Sequence, residues 1–421
     1  MNAVIVVIFS LVSLQADTLS LTESYRHLQN RYPLQDKLEL EQDITELKLQ
    51  NLHTRYYPQV DLQARGSYQS HVTEITFTPP GVPAPQFHKD QYSAEMQVSQ
   101  LLYDGGGIQA QKEQIRSQGD IQKARVRVDM HEVRKLVDRI YFNILRINKS
   151  AATLRWSLKK IESQREQVKS LVNHGVLLSS NLHVLNAEIG KLEQELISLK
   201  HDRRASSKML GKLLDISVDT TTVLRMPEVE TASKAPLDLG NRPEYDLFAH
   251  QTDLLTARQS SIEAEKGPRL SVFATAGYGR PGLNRFDPEF QHYYMIGVQA
   301  KWSLWDLLNA DEEVEQVQME QKKITADRRA FNRQMRSTYQ KYREEVEKME
   351  SLIKKDRQII EQREKIVEQS KSQLKNGTIT SSDYVEEVYE AKKAKLQLEL
   401  HQVEKVYARV QLLTQMNQSW N

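Results

Sequence analysis

The chain has 421 residues, and its 58 Lys and Arg nearly balance 56 Asp and Glu, leaving a formal charge of +2. That balance excludes nucleic acid as the main partner, since phosphate binding wants a basic excess. With no cysteine, disulfides, thiolate metal sites, a Cys nucleophile and a lipidated N-terminal Cys are excluded as well.

In chain order, an apolar run from Val4 to Val12 leads into Ser13-Leu14-Gln15-Ala16 and the polar Asp17. It is too short to span a bilayer, which takes about 20 residues, so residues 1–16 read as a secretory signal peptide cleaved near Ala16. No later stretch approaches transmembrane-helix length, so any membrane crossing falls to strands.

A helix is expected from about Thr22 to Arg55, followed by strands at about 58–75 and 90–104. Period-two alternation puts Val60, Leu62, Ala64 and Tyr68 on one face of the first strand, against Asp61, Gln63, Arg65 and Ser67. In the second, Tyr92, Ala94, Met96, Val98 and Leu102 oppose Ser93, Glu95, Gln97 and Ser99. Thr78-Pro79-Pro80-Gly81 supplies turn formers between them. A long helix follows over about 105–174, free of proline, and then a return helix at about 178–214. In the return helix Leu182, Leu185, Ile189, Leu192, Leu196 and Leu199 form a heptad seam. Gly105-Gly106-Gly107 lacks the Gly-Lys-Ser/Thr ending of a phosphate loop and reads as a strand-to-helix bend.

After a linker at 216–242 the pattern repeats. A helix from Pro243 to Lys266 precedes strands at about 268–280 and 292–305, a long helix at about 307–375 and a return helix at about 378–415. Leu270, Val272, Ala274, Ala276 and Tyr278 match Tyr294, Ile296, Val298, Ala300, Trp302 and Leu304 as one face. Val346, Met349, Ile353, Ile360, Val367 and Leu374 form a second seam, which Asp356 and Arg363 interrupt. The landmarks recur in order: Pro58 with Pro268, Tyr92–Asp104 with Tyr294–Asp306, and Asn173-His174-Gly175 with Asn376-Gly377. Two structural repeats are therefore expected, 17–215 and 243–421.

Four strands cannot close a transmembrane barrel, which takes about eight, and alone they would leave a wet apolar face and two bare edges. Three copies resolve both problems in a twelve-stranded barrel, its apolar face on lipid. Tyr68, Tyr92, Tyr278, Tyr294, Trp302 and Trp305 fall near strand ends, where interfacial aromatics belong. The roughly 70-residue helices, about 105 Å long, suit a conduit across a wide compartment.

At this point the sequence resembles the TolC family of outer-membrane efflux proteins. The resemblance rests on the opening Thr18-Leu19-Ser20-Leu21-Thr22-Glu23, the duplicated Pro-x-Leu/Val strands, the Leu-x-Asp exits at Asp104 and Asp306, and the turn from Asn376 to Asp383. It implies a homotrimer with a β-barrel in outer-membrane lipid and a long periplasmic α-barrel, of mainly α class. A periplasmic adaptor and an inner-membrane transporter are its implied partners, and the implied task is the exit duct of a tripartite efflux or type I secretion system. In the family, acidic residues after the second tip turn ring the narrowest point; by position these are Asp383 and Glu386, while a tethering basic residue would fall at Ile379.

Asp383 and Glu386 lie three apart on one helix face, and three copies would crowd carboxylates at an axis. The plain alternative is the preference of helix N-termini for acids. Gly175 and Gly377 are expected as left-handed helix stops. Their neighbours Val176, Leu177, Thr378 and Ile379 are candidates for adaptor contact or for packing the closed tip. His spacing matches no metal motif and no nucleophile elbow occurs, so no enzyme, cofactor or metal is expected. The competing reading is a periplasmic coiled-coil scaffold or adaptor-like protein without a pore.

Overall fold

The computed structural model describes residues 18–72, 87–229 and 237–417. The signal-peptide segment and the Thr78–Gly81 loop lie outside the described residues. The chain divides into two compact units: one takes the chain up to Lys37, Val126–Tyr245 and Ala330 onward, and the other Leu38–Arg125 and Asp246–Arg329.

The N-terminal region holds β1 (Thr18–Leu19), α1 (Leu21–Arg31) and α2 (Leu34–His53). Here the expected single helix is corrected to two. Pro33 pushes Tyr32 into an extended conformation (φ −79°, ψ 134°), because the proline ring clashes with a helical predecessor. Ser20 and Glu23 form a reciprocal capping box on α1. The strands β2 (Gln59–Tyr68) and β3 (Asp90–Tyr103) lead into α3 (Gly107–Asn173) and α4 (Ser179–Leu214). After β4 (Val223–Leu224), which pairs in parallel with β1, the order recurs as α5 (Pro243–Glu265), β5 (Arg269–Arg280), β6 (Gln291–Lys301), α6 (Leu304–Lys375) and α7 (Ser381–Gln415).

The 67 residues of α3 and 72 of α6 make rods of about 100 and 108 Å. α6 begins earlier than expected, and β6 ends at Lys301 rather than near 305. Trp302 accordingly lies beyond the strand, and Leu304 and Trp305 are helical. The cause is local: the Ser303 hydroxyl accepts the amide of Asp306 at 3.4 Å, a cap that starts the helix there. The return helix α7, by contrast, begins later than expected, at Ser381, with Thr378–Thr380 in the turn before it.

In the first unit the seam positions pack as the spacing requires. Leu185, Ile189 and Leu192 of α4 join Leu154, Ile161 and Val168 of α3, Val367 and Leu374 of α6, and Tyr384 and Val388 of α7 in one core. Leu185 and Leu374 are fully buried, so truncating either to Ala costs about 2–5 kcal/mol. The interruptions are paired across helices: Asp356 meets His401 at 2.6 Å, and Arg363 reaches Glu387 and Glu390. A second core joins Val137, Tyr141 and Ile144 of α3 to Leu21 and Leu28 of α1, Leu210 and Leu214 of α4 and Val410 and Leu412 of α7.

Candidate functional site: a two-faced sheet, paired turns and a buried carboxylate

In the second unit the four long strands form one antiparallel sheet in the order β2-β3-β5-β6. Its register gathers the alternating apolar positions into a single face. Val60 pairs with Val98, Leu62 with Met96 and Ala64 with Ala94; these meet Ala274, Ala276 and Tyr278 of β5, which meet Ile296, Tyr294 and His292 of β6. Leu270 and Val272 extend the row beside Ala300 and Val298. Among the described residues nothing covers much of this face: Leu62 is 82% exposed, Tyr294 77% and Ile296 76%. Tyr68, Tyr92, Met96, Val98 and Tyr278 lie on it too. A register shift between Leu101 and Tyr103 sets Tyr103, not the expected Leu102, opposite Leu270, as a bulge does by adding one residue.

The opposite face carries Asp61, Gln63 and Arg65 of β2, Glu95 and Gln97 of β3 and Gln299 of β6. It also holds two aromatic rings that alternation alone did not single out. Phe273 and Tyr293 stand opposite Gly297 and Gly277, and a Cβ on either glycine would lie within 2.7 Å of the ring. Only glycine lets these rings lie flat on the sheet. The Tyr293 hydroxyl donates to Glu95 at 2.7 Å.

In the first unit the two turns share a backbone solution. The amide of Val176 reaches the carbonyl of Leu171 and that of Gly175 reaches Val172; Thr378 reaches Gln373 and Gly377 reaches Leu374 in the same way. Both glycines sit at φ +71° with open space around a would-be Cβ, so the left-handed backbone requires glycine and crowding does not. Val176 is exposed, Leu177 and Ile379 are partly buried in the core, and Thr378 is exposed with its hydroxyl donating to the Gln373 carbonyl.

Past the turns the two return helices differ. Thr380 caps α7, and Asp383 answers by accepting from the Thr380 amide and hydroxyl at 2.8 and 2.7 Å. Those bonds hold the Asp383 carboxyl below its ordinary range. Glu386 is exposed on the next turn. α4 starts at Ser179, and its N-cap residue Leu178 gives no side-chain cap; Asn181 of α4, matching Asp383, instead accepts the Ser381 amide at 2.8 Å.

The same unit buries a cluster that a reading of acids as solvated faces passes over. Asp138 of α3 is fully buried and accepts from the Tyr25 hydroxyl of α1 and, on α7, from Gln411 at 3.1 Å and Thr414 at 3.3 Å. Burial raises its pKa to about 6, although those donors and Arg134 pull downward. One heptad earlier, His131 is buried too, and burial together with Arg242, Lys135 and Arg134 lowers its pKa to about 3. Arg242 is held by both carboxylate oxygens of Glu244 and donates to the Gln415 carbonyl. The signal for Asp138 was its helical frame, since His131, Asp138 and Leu145 recur at seven residues among buried Val137, Tyr141 and Ile144. Among the described residues no cluster of His, Asp and Glu is placed to hold a metal, and no helix is long and apolar enough to cross a membrane.

Residues 25–214 match the family model described as outer membrane efflux protein. Over those residues, somewhat under half of its length, the chain is similar to that family. A likeness in fold to solved outer-membrane proteins extends over nearly the whole chain. The outer membrane protein VceC of Vibrio cholerae superposes with a TM-score of 0.71 at 12% identity, covering 95% of this chain and 97% of that one. The open state of the MtrE outer membrane channel of Neisseria gonorrhoeae gives 0.69 at 13%, covering 97% and 94%. A membrane protein of Pseudomonas aeruginosa gives 0.72 at 12%, covering 95% and 90%. At these identities the likeness establishes the fold alone. No curated protein matches the sequence.

Proposed function

We propose that this protein is the outer-membrane exit duct of a tripartite efflux or type I secretion system. It takes substrates from a periplasmic adaptor and an inner-membrane transporter to the outside. Three chains close a twelve-stranded barrel whose apolar face meets lipid through Val60, Leu62, Leu270, Val272, Ile296 and Val298. The long helices line the periplasmic passage.

The observation that carries this reading is the sheet. Four strands whose apolar positions align on one face, apart from the shift at Leu101–Tyr103, leave a broad apolar surface exposed and two edges, β2 and β6, without partners among the described residues. Exposed edges and apolar faces of this size are not left uncovered in a folded protein; joining β6 of one copy to β2 of the next removes the edges, and lipid covers the face. A coiled-coil scaffold accounts for the helical seams but gives this sheet no purpose. No enzymatic role is proposed.

The turns at Gly175 and Gly377 form the periplasmic tip, where exposed Val176 and Leu178 (59% and 75%) meet the adaptor. Asp383 and Glu386, repeated three times about the axis, make an acidic ring that favours cations. Purified protein reconstituted in planar bilayers is expected to conduct as a trimer that survives detergent. Asp383→Ala with Glu386→Ala is expected to reduce its preference for cations over anions. A conducting trimer with unaltered selectivity removes the two acids from the gate, and a non-conducting protein defeats the duct itself.

A further inference from the structure

The strand pairs β2–β3 and β5–β6 share one register. The residue pair nearest the helices is Gln59 with Ser99 in one and Arg269 with Lys301 in the other. Counting outward, the fifth, seventh and ninth pairs of β2–β3 are Gln63 with Glu95, Arg65 with Ser93 and Ser67 with Gln91, all on the polar face. In β5–β6 the same places hold Phe273 with Gly297, Thr275 with Met295 and Gly277 with Tyr293. One backbone is thus built once with polar side chains and once with two aromatic rings, a methionine and two glycines. The sheet itself does not need the rings.

These side chains gather into a patch. Each ring lies over a glycine of the neighbouring strand, so one face rests on the backbone and the other turns outward. The rings stand four residues apart along the strands, about 13 Å, and Thr275 and Met295 make the floor between them. Met295 is 46% exposed. An open cavity of about 1170 Å³ spreads over the patch, with Glu95 and Gln97 in its wall. The Glu95 carboxylate accepts the Tyr293 hydroxyl on one oxygen, and among the described residues its other oxygen is free. Asp61, exposed, pairs with Gln97 at the level of the floor. The cations of this face lie beyond the patch: Arg65 one level outward, Arg269 and Lys301 at the end near the helices.

We propose that Phe273, Tyr293, Met295 and Glu95 form a binding site for planar aromatic cations on the polar side of the sheet. The outward faces of the rings carry the negative pole of the aromatic quadrupole and attract a cation. The methionine thioether adapts to the outline of a flat ring system, and the carboxylates set the sign of the charge that is held. The span of about 13 Å accepts two or three fused rings lying on the Met295 floor. An anion of the same shape is repelled by Glu95 and Asp61. That the site opens into the lumen of a duct rests on the function proposed above; the binding itself does not.

The probe is N-methylacridinium, a planar tricyclic cation of permanent charge, and its reference is anthracene-2-sulfonate, an anion of the same width. Fluorescence polarisation reads binding to the full-length protein in detergent, and planar bilayers read block of the single-channel current. The cation is expected to bind and block about fivefold more tightly than the anion, or better. Phe273→Gln, Tyr293→Gln and Met295→Ser together copy the residues that β2–β3 carries at those places. This variant is expected to bind the cation about tenfold more weakly and to keep its unblocked conductance. Equal binding by variant and parent overturns the site, and so does an anion bound as tightly as the cation. Should the triple variant fail to fold, Glu95→Gln, which keeps the side chain's shape, decides. Cation binding about threefold weaker supports the site, and unchanged binding overturns it. A protein that binds the cation through these residues yet conducts no current keeps the site and loses the duct. One that conducts, with a block indifferent to the substitutions, keeps the duct and loses the site.

Discussion

Asp383 lies at the surface on the first turn of α7, where the Thr380 hydroxyl and amide hold its carboxyl below the usual range. Asp138 belongs to the same compact unit but is sealed between α1, α3 and α7, and burial lifts its pKa to about 6. One side chain thus does two jobs. At the turn it completes a helix end and remains charged and accessible, as an acidic ring requires. In the interior it is the acceptor on which three helices converge, and its charge is a liability that three donors offset.

The largest effect is expected from Asp138→Leu. It leaves the Tyr25 hydroxyl, the Gln411 amide and the Thr414 hydroxyl without their acceptor, for a loss of about 3 kcal/mol or more. Hydrogen exchange should locate it in α1 and the end of α7. A loss confined to α3 would contradict the three-helix junction.

Next comes pH. An acid with a raised native pKa contributes stability that is present below its unfolded value and lost as pH rises through the native one. For Asp138 that window runs from about 3.8 to about 6, a change of the order of 3 kcal/mol. His131 acts in the opposite sense: its lowered pKa means that stability present above about 6.5 is lost as pH falls toward 3. The two slopes oppose each other between about pH 4 and 6. Asp138→Asn removes one of them, so the variant should lose stability on acidification more steeply than the parent in a series of urea titrations. Parallel profiles would show that Asp138 does not titrate in that window.

At the turns, Gly175→Ala and Gly377→Ala should each cost about 1–2 kcal/mol, since both force a side chain into the left-handed region. Similar losses in local exchange would confirm one backbone solution used twice. The smallest difference comes after the turns. Thr380→Ala removes a cap worth about 1 kcal/mol and should fray the start of α7, whereas Leu178→Ala removes no cap from α4. Equal fraying of both helices would erase the distinction between the starts of α4 and α7.

Much of this was readable from residue order. Period-two alternation put Leu62, Met96, Ala276 and Tyr294 on one face before any register was known, and the heptad spacing of Leu185, Ile189 and Leu192 marked a packed seam. Other features depend on forces that composition hides. Pro33 divides the first helix because its effect falls on Tyr32, and the Ser303 cap competes with a strand pattern that continues through Trp302 and Leu304. Asp138 and His131 look like the many solvated charges of a long helix until the packing of α1 and α7 is known. Phe273 and Tyr293 break the polar alternation because Gly297 and Gly277, far off in sequence, make room for them.

The central claim is that the sheet divides lipid from water, and the natural absence of cysteine allows a direct measurement. Single cysteines at Val272, Val298 and Ile296 on one face, and at Ser271, Gln299 and Gln97 on the other, can be treated with a membrane-impermeant thiol reagent in outer-membrane vesicles. The account predicts labelling that alternates with residue parity: the polar-face cysteines react through the open lumen and those on the apolar face stay protected until detergent is added. Equal labelling of both faces without detergent would contradict it.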